Sequence, residues 1–587
     1  MKYFSFEKKY FKKNIKNQVY FKDWCLPKEI EYEQIDKLNK KKYFDYKFST
    51  PLQIVKNNRF IFKLMNKMVR DLTKSLNRYH NVNYPEKYWK LILLPWLLPF
   101  LSFMHERWNI INSIKNYKNF IFCIYNIEKK ELIPENYLAL GEMVNQKLLN
   151  FWTVSEVIKF KKKIKFVEKK INNIPNYQKS RKRFYIIKDF KEKIYSFYFS
   201  ILSKFFRTKI HFKNIGISKY KSILLNLKLR QFPIFWIEPK YKKEEIELNK
   251  RKNFFYKKSS KKNFFNFIKE ITYIFIPKSY LEDYENIKTS INKSYWPTNV
   301  KAILSAYDFT VEDVFKIWSA EMVLKNNAKY IILQHGGNSG IAESAPGTDL
   351  HSLIADKYLT WGWKGKYKNN IPFHSIGLSN RSLNIKKEVK KIYFCVSINS
   401  IFTYRYESLP RSNAEKIKKS NSIFQIINNI NNTYTKDIVL RYLEAAEKRN
   451  FKRINKNKIN KKISYDNASV PFLKILSKVK IAIHDTNNTG FLECLFYNVP
   501  TILILDKNIE KFEKKAVKYL KLMEKNKIIH YDSKSAANFL NQNLNTIDEW
   551  WHEKKLQKIR KEFCNIYVKN SQNSIGDLSK LLKKIAS

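Results

Sequence analysis

Glycine is scarce in this chain, with 11 residues among 587, about 2% against the ~7% of ordinary proteins. Six of the eleven lie between residues 336 and 365. A chain that otherwise avoids glycine and concentrates it in one stretch indicates a close approach of the backbone there. Residues 330–365 are therefore the first candidate for a ligand site.

Cysteine is also rare. The five cysteines lie far apart, and no CxxC or Cys/His cluster occurs, so we expect neither a disulfide framework nor a zinc site. The N-terminus lacks the apolar stretch of a secretory signal. The most apolar run, residues 91–104, is too short to span a bilayer and contains two prolines. We expect a cytoplasmic protein with a buried helix at 91–104, and a monotopic membrane contact there is the alternative.

Acidic residues are outnumbered, with 52 Asp and Glu against 113 Lys and Arg and a net charge of +61. Such a charge is typical of nucleic-acid-binding proteins. However, lysine far exceeds arginine and is spread along the whole chain together with Asn, Ile, Phe and Tyr, a bias typical of an AT-rich genome. We therefore expect no nucleic acid and an attraction to anionic substrates or an anionic membrane. A basic nucleic-acid-binding protein is the alternative of another class.

Apolar periodicity divides the chain into four parts. Residues 1–180 predict a mainly helical region. Strands and helices alternate in 181–384 and again in 385–549, with a basic linker near 385–391. Residues 550–587 predict helices that cross back. The fold class is thus α/β, with two Rossmann-like domains that face a cleft, and ligands bind such sheets at the carboxyl ends of the strands.

Several less regular segments carry local predictions. Residues 184–187, 271–276 and 373–377 predict strands, residues 161–183 a solvated helix or linker, and residues 238–262 an exposed insertion.

The sequence QHGGNSG at 334–340 follows a predicted strand. His335 lies just past the strand end, where an imidazole with a pKa near neutrality acts as a general base or hydrogen-bonds a phosphate. Glu343 lies close enough along the chain to orient His335 or to bind a sugar hydroxyl. We predict His335 and Glu343 as catalytic residues, although a histidine that only packs the loop is the alternative. The loop residues beside them are Gln334, Gly336, Gly337 and Gly340.

Residues 481–495 predict a strand, a polar loop and a helix. The N-terminus of a helix presents free backbone N–H groups and the positive end of a dipole, which suit a diphosphate. Asn488 and Thr489 can cap this helix, and Glu493 can reach sugar or ribose hydroxyls. Arg441, at the end of another predicted strand, can neutralise a phosphate. The predicted donor and phosphate site is Arg441, Asn488, Thr489, Gly490 and Glu493. The alternatives are an ordinary capped helix and a surface arginine.

Several common motifs are absent from the sequence. It has no GxxxxGK[ST] phosphate loop, no GxSxG elbow, no HExxH and no evident DxD pair. This absence favours a mechanism without metal or cofactor, in which the helix dipole and cationic side chains stabilise a leaving phosphate.

Four ordered motifs resemble one family. They are SLNRYHNVNYPEKYWKLILLPWL at 75–97, QHGGNSGIAESAPGTDLHSLIADKYLTWGW at 334–363, NNTGFLECLFYNVPTIL at 487–503 and residues 528–551. Together they resemble a bacterial family of transferases encoded in surface-polysaccharide clusters of the O-antigen type. The resemblance covers nearly the full length. It implies a two-domain, glycosyltransferase-B-like (GT-B-like) fold and transfer of an activated sugar during assembly of an envelope glycan such as lipopolysaccharide.

The combined prediction is an enzyme, a metal-independent glycosyltransferase. Its C-terminal Rossmann-like domain would bind a nucleotide-activated sugar, and its N-terminal half would present a glycan or lipid-linked acceptor to His335. The expected location is the cytoplasm, with peripheral contact to the anionic inner face of the membrane. A polyol-phosphate transferase of the teichoic-acid type is the alternative within enzymes, since it also places a histidine–glycine pair at a cleft. The sugar, the base, the acceptor and the stereochemical outcome stay open.

Overall fold

A computed structural model describes the chain at residues 2–5, 18–20, 50–114, 120–161, 164–171, 185–255, 262–381, 383, 390–397, 402–407, 413–443, 456–508 and 510–587. Three β-sheets lie within these ranges, and all the strand pairs in them are parallel. Helices pack against the two larger sheets, as parallel sheets require where both of their faces are apolar. Among the described helices, none is long and apolar enough to cross a membrane.

The strands, in chain order, are β1 (Lys2–Ser5), β2 (Gln18–Tyr20), β3 (Phe120–Ile127), β4 (Phe166–Ile171), β5 (Ile210–Lys213), β6 (Ala302–Ser305), β7 (Lys329–Leu333), β8 (Lys357–Thr360), β9 (Asn370–Pro372), β10 (Lys391–Val396), β11 (Ile438–Tyr442), β12 (Ser464–Asp466), β13 (Val479–His484), β14 (Thr501–Ile504) and β15 (Ile529–His530).

The α-helices span Pro51–Tyr79, Glu86–Ser113, Tyr137–Met143, Lys147–Lys161, Tyr185–Phe205, Lys219–Lys228, Leu248–Phe255, Phe264–Phe275, Tyr284–Lys293, Asp308–Val311, Asp313–Asn326, Pro346–Ile354, Ile376–Ser379, Asn413–Asn429, Thr489–Phe496, Lys514–Lys525, Ser533–Asn543, Ile547–His552, Lys554–Tyr567 and Ser574–Ala586.

The N-terminal region is built around one buried helix, Glu86–Ser113. It contains the apolar run 91–104 and buries Trp96 and Phe100 completely, so the prediction of a buried helix is confirmed. The region also contains a small sheet in the order β2-β1-β3-β4, which the sequence analysis did not predict. The reason is that β3 is an apolar run without alternation, and such a run cannot be told from a buried helix by its period.

The first Rossmann-like domain contains five parallel strands in the order β5-β6-β7-β8-β9. Side chains of β7 alternate between two cores: Tyr330 and Ile332 belong to one, and Ile331 and Leu333 belong to the other. The second core includes side chains of the C-terminal helix Ser574–Ala586. The sheet is therefore covered on both faces.

The second Rossmann-like domain has the strand order β12-β11-β10-β13-β14-β15. Numbered along the chain, this order is 3-2-1-4-5-6, which is typical of dinucleotide-binding sheets. The order reverses between β10 and β13, and a crevice opens at the carboxyl ends of the strands at such a switch point. The loops that follow β10 and β13 are thus placed to bind a ligand. The predicted α/β fold with two Rossmann-like domains is confirmed.

Three predicted strands are wrong. Residues 185–187 of the first fall at the start of the helix Tyr185–Phe205, with residue 184 outside the described residues, and residues 271–276 fall mostly within Phe264–Phe275. Near 373–377 the strand β9 ends earlier, at Pro372, and a short helix follows. In each case a short apolar run was ambiguous, and the neighbouring packing decided between helix and strand.

The structure also differs from the prediction in two segments that were expected to be exposed to solvent. Part of 161–183 forms β4, and residues 172–184 lie outside the described residues. In the predicted insertion 238–262, Arg251 is fully buried and forms an ion pair with Glu282, so this part belongs to the packed interior. Most of the predicted linker, residues 384–389, lies outside the described residues, and the four domain boundaries stay predictions.

Candidate functional site

The carboxyl ends of the β5–β9 sheet open onto a cleft between the two Rossmann-like domains. A cavity of about 830 Å³ lies there, lined by loops that follow β5 and β6 and by Pro471, Leu473 and Lys474 of the second domain. A second cavity of about 300 Å³ adjoins it, and His335 and Arg381 line both. Thr489 and Glu493 contribute the second domain's wall of the smaller cavity. The site thus lies where parallel α/β sheets bind ligands.

His335 occupies the junction of these cavities. It follows β7 directly, and its ring lies 5.1 Å from the ring of Tyr307. Partial burial lowers the pKa of the imidazole below its usual 6.5, because desolvation disfavours the charged form. Near neutral pH the imidazole is therefore uncharged, as a proton acceptor must be.

Gln334 lines the smaller cavity, and its side chain is fixed by hydrogen bonds within the first domain. Its Oε1 accepts hydrogen bonds from the Trp361 backbone N–H and from Trp363 Nε1, both at 2.8 Å, and its Nε2 donates to the Gly336 carbonyl at 2.8 Å. The side chain therefore holds the turn after β7 in place. Gly340 has φ +76°, and a Cβ there would overlap the Trp363 ring, so glycine is required at this position.

Gly336 and Gly337 contact the second domain directly. The Gly337 N–H donates to Thr489 Oγ1 at 3.0 Å, and a Cβ on Gly337 would lie 3.0 Å from the Asn488 carbonyl carbon and the Thr489 nitrogen. The close backbone approach inferred from the glycines therefore exists, and its partner is the N-terminus of the helix Thr489–Phe496. The two loops predicted to face each other across the cleft are in contact.

The helix Thr489–Phe496 begins at the switch point of the second sheet. Asn488 caps it, because its Oδ1 accepts from the Phe491 N–H at 3.1 Å while its Nδ2 donates to Ser397 Oγ at 3.1 Å. The preceding Asn487 is fully buried, and its side-chain amide has no partner among the described residues. Gly490 packs closely against the second domain's own core, since a Cβ there would lie 3.1 Å from the His484 ring.

Glu493 shares the smaller cavity with His335. Burial raises the pKa of its carboxyl from 4.5 to about 7, against the opposing effects of Arg381 and Arg441. A carboxyl with a pKa near 7 in a cavity is a candidate for proton transfer or for binding a hydroxyl. Glu493 and His335 thus line one cavity, and the two halves of the predicted site meet there.

Arg441 and Glu343 lie outside the three cavities that His335 lines. Arg441 is buried and bound within its own domain, where it forms an ion pair with Asp466 and donates to the Val470 carbonyl. Glu343 is exposed, and its backbone N–H donates to the Lys511 carbonyl at 3.1 Å. Neither residue therefore lines these cavities, although the charge of Arg441 acts on the Glu493 carboxyl.

Arg405 is a candidate site residue that was not predicted from the sequence. This residue follows β10 in the second domain and lines a third cavity of about 300 Å³ on another side of His335. There it pairs with Glu407 at 3.2 Å and approaches the helix Pro346–Ile354 of the first domain. Its Nε and the Nδ1 of His351, another lining residue, have no partner among the described residues. The only signal in the sequence is an arginine in a lysine-rich chain shortly after a strand.

No group of three or more His, Cys, Asp or Glu residues that could hold a metal ion occurs within the described ranges.

Two parallel sheets that meet at a cleft through their strand ends define a protein of the GT-B type of fold. The chain belongs to the LIC12162 family of transferases, whose family model matches residues 4–582. It is therefore a transferase.

No curated protein matches the chain. Solved structures show only distant similarity to it. The wall teichoic acid polymerase TagF is similar at 10% identity over 68% of this chain and 98% of its own, with a TM-score of 0.34. MurG from Acinetobacter baumannii is similar at 10% identity over 64% of this chain and 98% of its own, with a TM-score of 0.31. These likenesses are too distant to assign a substrate.

Proposed function

We propose that this protein is a glycosyltransferase that moves a sugar from a nucleotide-activated donor to a cell-surface glycan or lipid-linked acceptor, without a metal ion. The observation that supports this most directly is one cavity lined by His335 of the first domain and by Glu493 of the second. A cavity lined by both domains lets each domain bind one substrate, so that the two reacting groups are held next to each other.

The donor side is the second domain. The helix that starts at Thr489 offers backbone N–H groups to a diphosphate, and Arg405 and Arg381 supply positive charge at the surrounding cavities. Gly337 rests against this helix start, so donor binding at the helix requires the two loops to separate. Glu493 then binds a hydroxyl of the sugar or ribose.

The acceptor side is the first domain. Uncharged His335 takes the proton of the acceptor hydroxyl while that oxygen forms a bond to the anomeric carbon. The bond from the anomeric carbon to the donor phosphate oxygen breaks, and its electron pair leaves with the nucleotide. The helix N–H groups and the arginines stabilise the charge that develops on the leaving phosphate.

The family resemblance suggests the biological setting. Surface-polysaccharide assembly of the O-antigen type takes place on lipid-linked intermediates, and a net charge of +61 favours the anionic inner face of the cytoplasmic membrane. We therefore place the enzyme in the cytoplasm, with peripheral contact to that membrane.

The first experiment identifies the sugar donor that the protein binds. UDP-, GDP-, CMP- and dTDP-sugars are added singly to the full chain, and a donor that binds the native state raises the melting temperature. With that donor, His335→Ala should lower kcat/KM by roughly 10²–10⁴-fold, and Glu493→Ala should also lower it.

Glu343→Ala is the matched control, since Glu343 is a nearby carboxylate outside the cavities. Wild-type rates in folded His335→Ala and Glu493→Ala would refute the proposed site. An acceptor product joined through a phosphodiester, detected by phosphorus NMR, would instead assign a polyol-phosphate transferase.

A further inference from the structure

Exposed apolar side chains concentrate on the helix Tyr185–Phe205 and the residue after it. Phe197 is 70% exposed and Phe205 is 75% exposed. Single exposed apolar residues are ordinary, but a contiguous group marks an interaction surface. We call this group the aromatic surface; it consists of Ile194, Tyr195, Phe197, Tyr198, Ile201, Phe205 and Phe206.

The orientation of this helix is set by contacts on its other side. Phe199 is buried, and its ring meets the ring of Phe235 edge to face at 5.7 Å. Phe206, just past the helix, lies at the edge of the aromatic surface: it is 41% exposed, and one side of its ring stacks on that of Phe232 at 4.3 Å. The helix is therefore packed onto the first Rossmann-like domain through one face, while its aromatic surface is exposed.

The chain that carries and follows the aromatic surface is basic. Residues 194–230 contain eight Lys and Arg and no Asp or Glu, whereas the start of the helix, residues 185–193, contains Asp189 and Glu192 beside three Lys. Most of the cations in 194–230 are exposed: Lys204, Arg207, Lys209, Lys219, Lys228 and Arg230. An apolar surface on a segment rich in exposed cations is complementary to a bilayer with anionic headgroups. A second copy of the chain would bring like charges together, so it is the less favourable occupant.

We propose that the aromatic surface binds an anionic lipid bilayer, with the helix Tyr185–Phe205 lying in the membrane interface. The aromatic rings enter the boundary between headgroups and acyl chains, and the surrounding Lys and Arg side chains contact lipid phosphates. This location differs from the run 91–104, the membrane alternative from the sequence, which lies in the protein core.

The helix that carries the aromatic surface packs beside the large cavity through its buried face. Phe235, which packs against Phe199, also lines that cavity, and so do Lys219 and Ser222 of the next helix. A bilayer on the aromatic surface would therefore lie about one helix away from the cavity, within reach of a lipid-linked acceptor. This last step depends on the proposed function, whereas membrane binding itself does not.

Sedimentation of the full chain with lipid vesicles tests the proposal. Wild-type protein should bind vesicles of phosphatidylcholine with phosphatidylglycerol and bind pure phosphatidylcholine vesicles at least tenfold more weakly. The double variant Phe197→Glu/Phe205→Glu should reduce binding to the anionic vesicles at least tenfold. Both side chains are largely exposed, so circular dichroism and the melting temperature should match those of the wild type.

The control is Leu52→Glu/Leu324→Glu, which makes the same charge change at apolar positions that are 64% and 38% exposed elsewhere. Its binding should fall less than threefold. Equal losses in both double variants would show that only the overall charge attracts the vesicles and would overturn the proposal. So would a solution dimer that the Phe197→Glu/Phe205→Glu variant abolishes.

Failure of this proposal and failure of the proposed function are distinguishable. The melting-temperature shift caused by a nucleotide-sugar reports the cleft and needs no membrane. A variant that loses vesicle binding but keeps this melting-temperature shift supports the membrane surface. If no donor shifts the melting temperature of the wild type, the proposed glycosyltransferase function is contradicted, and the membrane proposal is not affected.

Discussion

At the scale of single residues, the glycines after β7 act through the contacts they permit. Gly337 brings its backbone against the Asn488–Thr489 peptide of the other domain, and Gly340 leaves room for the Trp363 ring. From the sequence, these glycines predicted that a ligand approaches the backbone of this loop closely. The structure shows that protein groups fill the space, which makes the loop a contact between domains beside the candidate site.

Glu493 carries a pH dependence of stability. Burial raises its pKa to about 7, so between about pH 4.5 and 7 the folded state keeps a proton that the unfolded state has lost. The free energy of unfolding therefore falls as the pH rises through this window. Relative to Glu493→Gln, the wild type should lose up to about 3 kcal/mol between about pH 5 and 8, an upper value because the carboxyl keeps some solvent contact.

Urea unfolding at the two pH values measures this difference. Glu343→Gln, at an exposed position outside the cavities, is the control for removal of a carboxylate. Parallel profiles for the wild type and Glu493→Gln would mean that Glu493 titrates normally in the folded state.

At the scale of elements, a charged segment can belong to the interior. The helix Leu248–Phe255 lies in a stretch dense in charge, which predicted an exposed insertion. In the structure Arg251 is fully buried, pairs with Glu282 and donates to the Tyr273 and Ile276 carbonyls at 2.9 Å each. The ion pair and the two carbonyl bonds together join this helix to the end of Phe264–Phe275.

Arg251→Ala should lower the free energy of unfolding by about 3–5 kcal/mol, because it leaves the Glu282 carboxylate buried without its partner. Lys250→Ala removes an exposed ion pair with Glu247 from the same helix and should change stability by less than about 1 kcal/mol. Urea denaturation of both variants checks the prediction. Similar small effects would show that the Arg251–Glu282 pair contributes little.

At the scale of the whole molecule, the C-terminal helix Ser574–Ala586 completes a domain that begins hundreds of residues earlier. Leu578 and Leu582 are fully buried in the core on one face of the β5–β9 sheet. Ser579 Oγ also donates to the Lys228 carbonyl at 3.2 Å. Folding of the first Rossmann-like domain therefore depends on the end of the chain.

Leu578→Ala and Leu582→Ala should each destabilise the protein by about 2–5 kcal/mol, since each leaves a cavity in this core. The matched control is Lys580→Ala, an exposed residue on the same helix. Thermal unfolding gives the size of the effect, and limited proteolysis should show faster cleavage in the first domain. If cleavage accelerates only within the C-terminal helix, the domain folds without it.

Much of the fold was predictable wherever strands and helices alternate with clear periods. The second Rossmann-like domain is the best example, since the strand predicted to end at Arg441 is β11, and the strand, loop and helix predicted over 481–495 are β13 and the helix Thr489–Phe496 with their connection. The small N-terminal sheet was not predicted, because a buried strand and a buried helix have similar apolar runs. In the candidate site, the sequence located His335 and the helix start at Thr489 because both follow strands closely.

The sequence by itself determined the α/β class, the loop that contains His335 and the capped helix that contains Glu493, since strand periodicity, glycine and capping residues act over a few neighbouring positions. Only the tertiary structure decided that Gly337 touches Thr489, that Arg405 and His335 line one cavity and that Glu343 lies outside the cavities. These relations join residues that are distant along the chain. They depend on how two sheets and their loops pack, which no local pattern encodes.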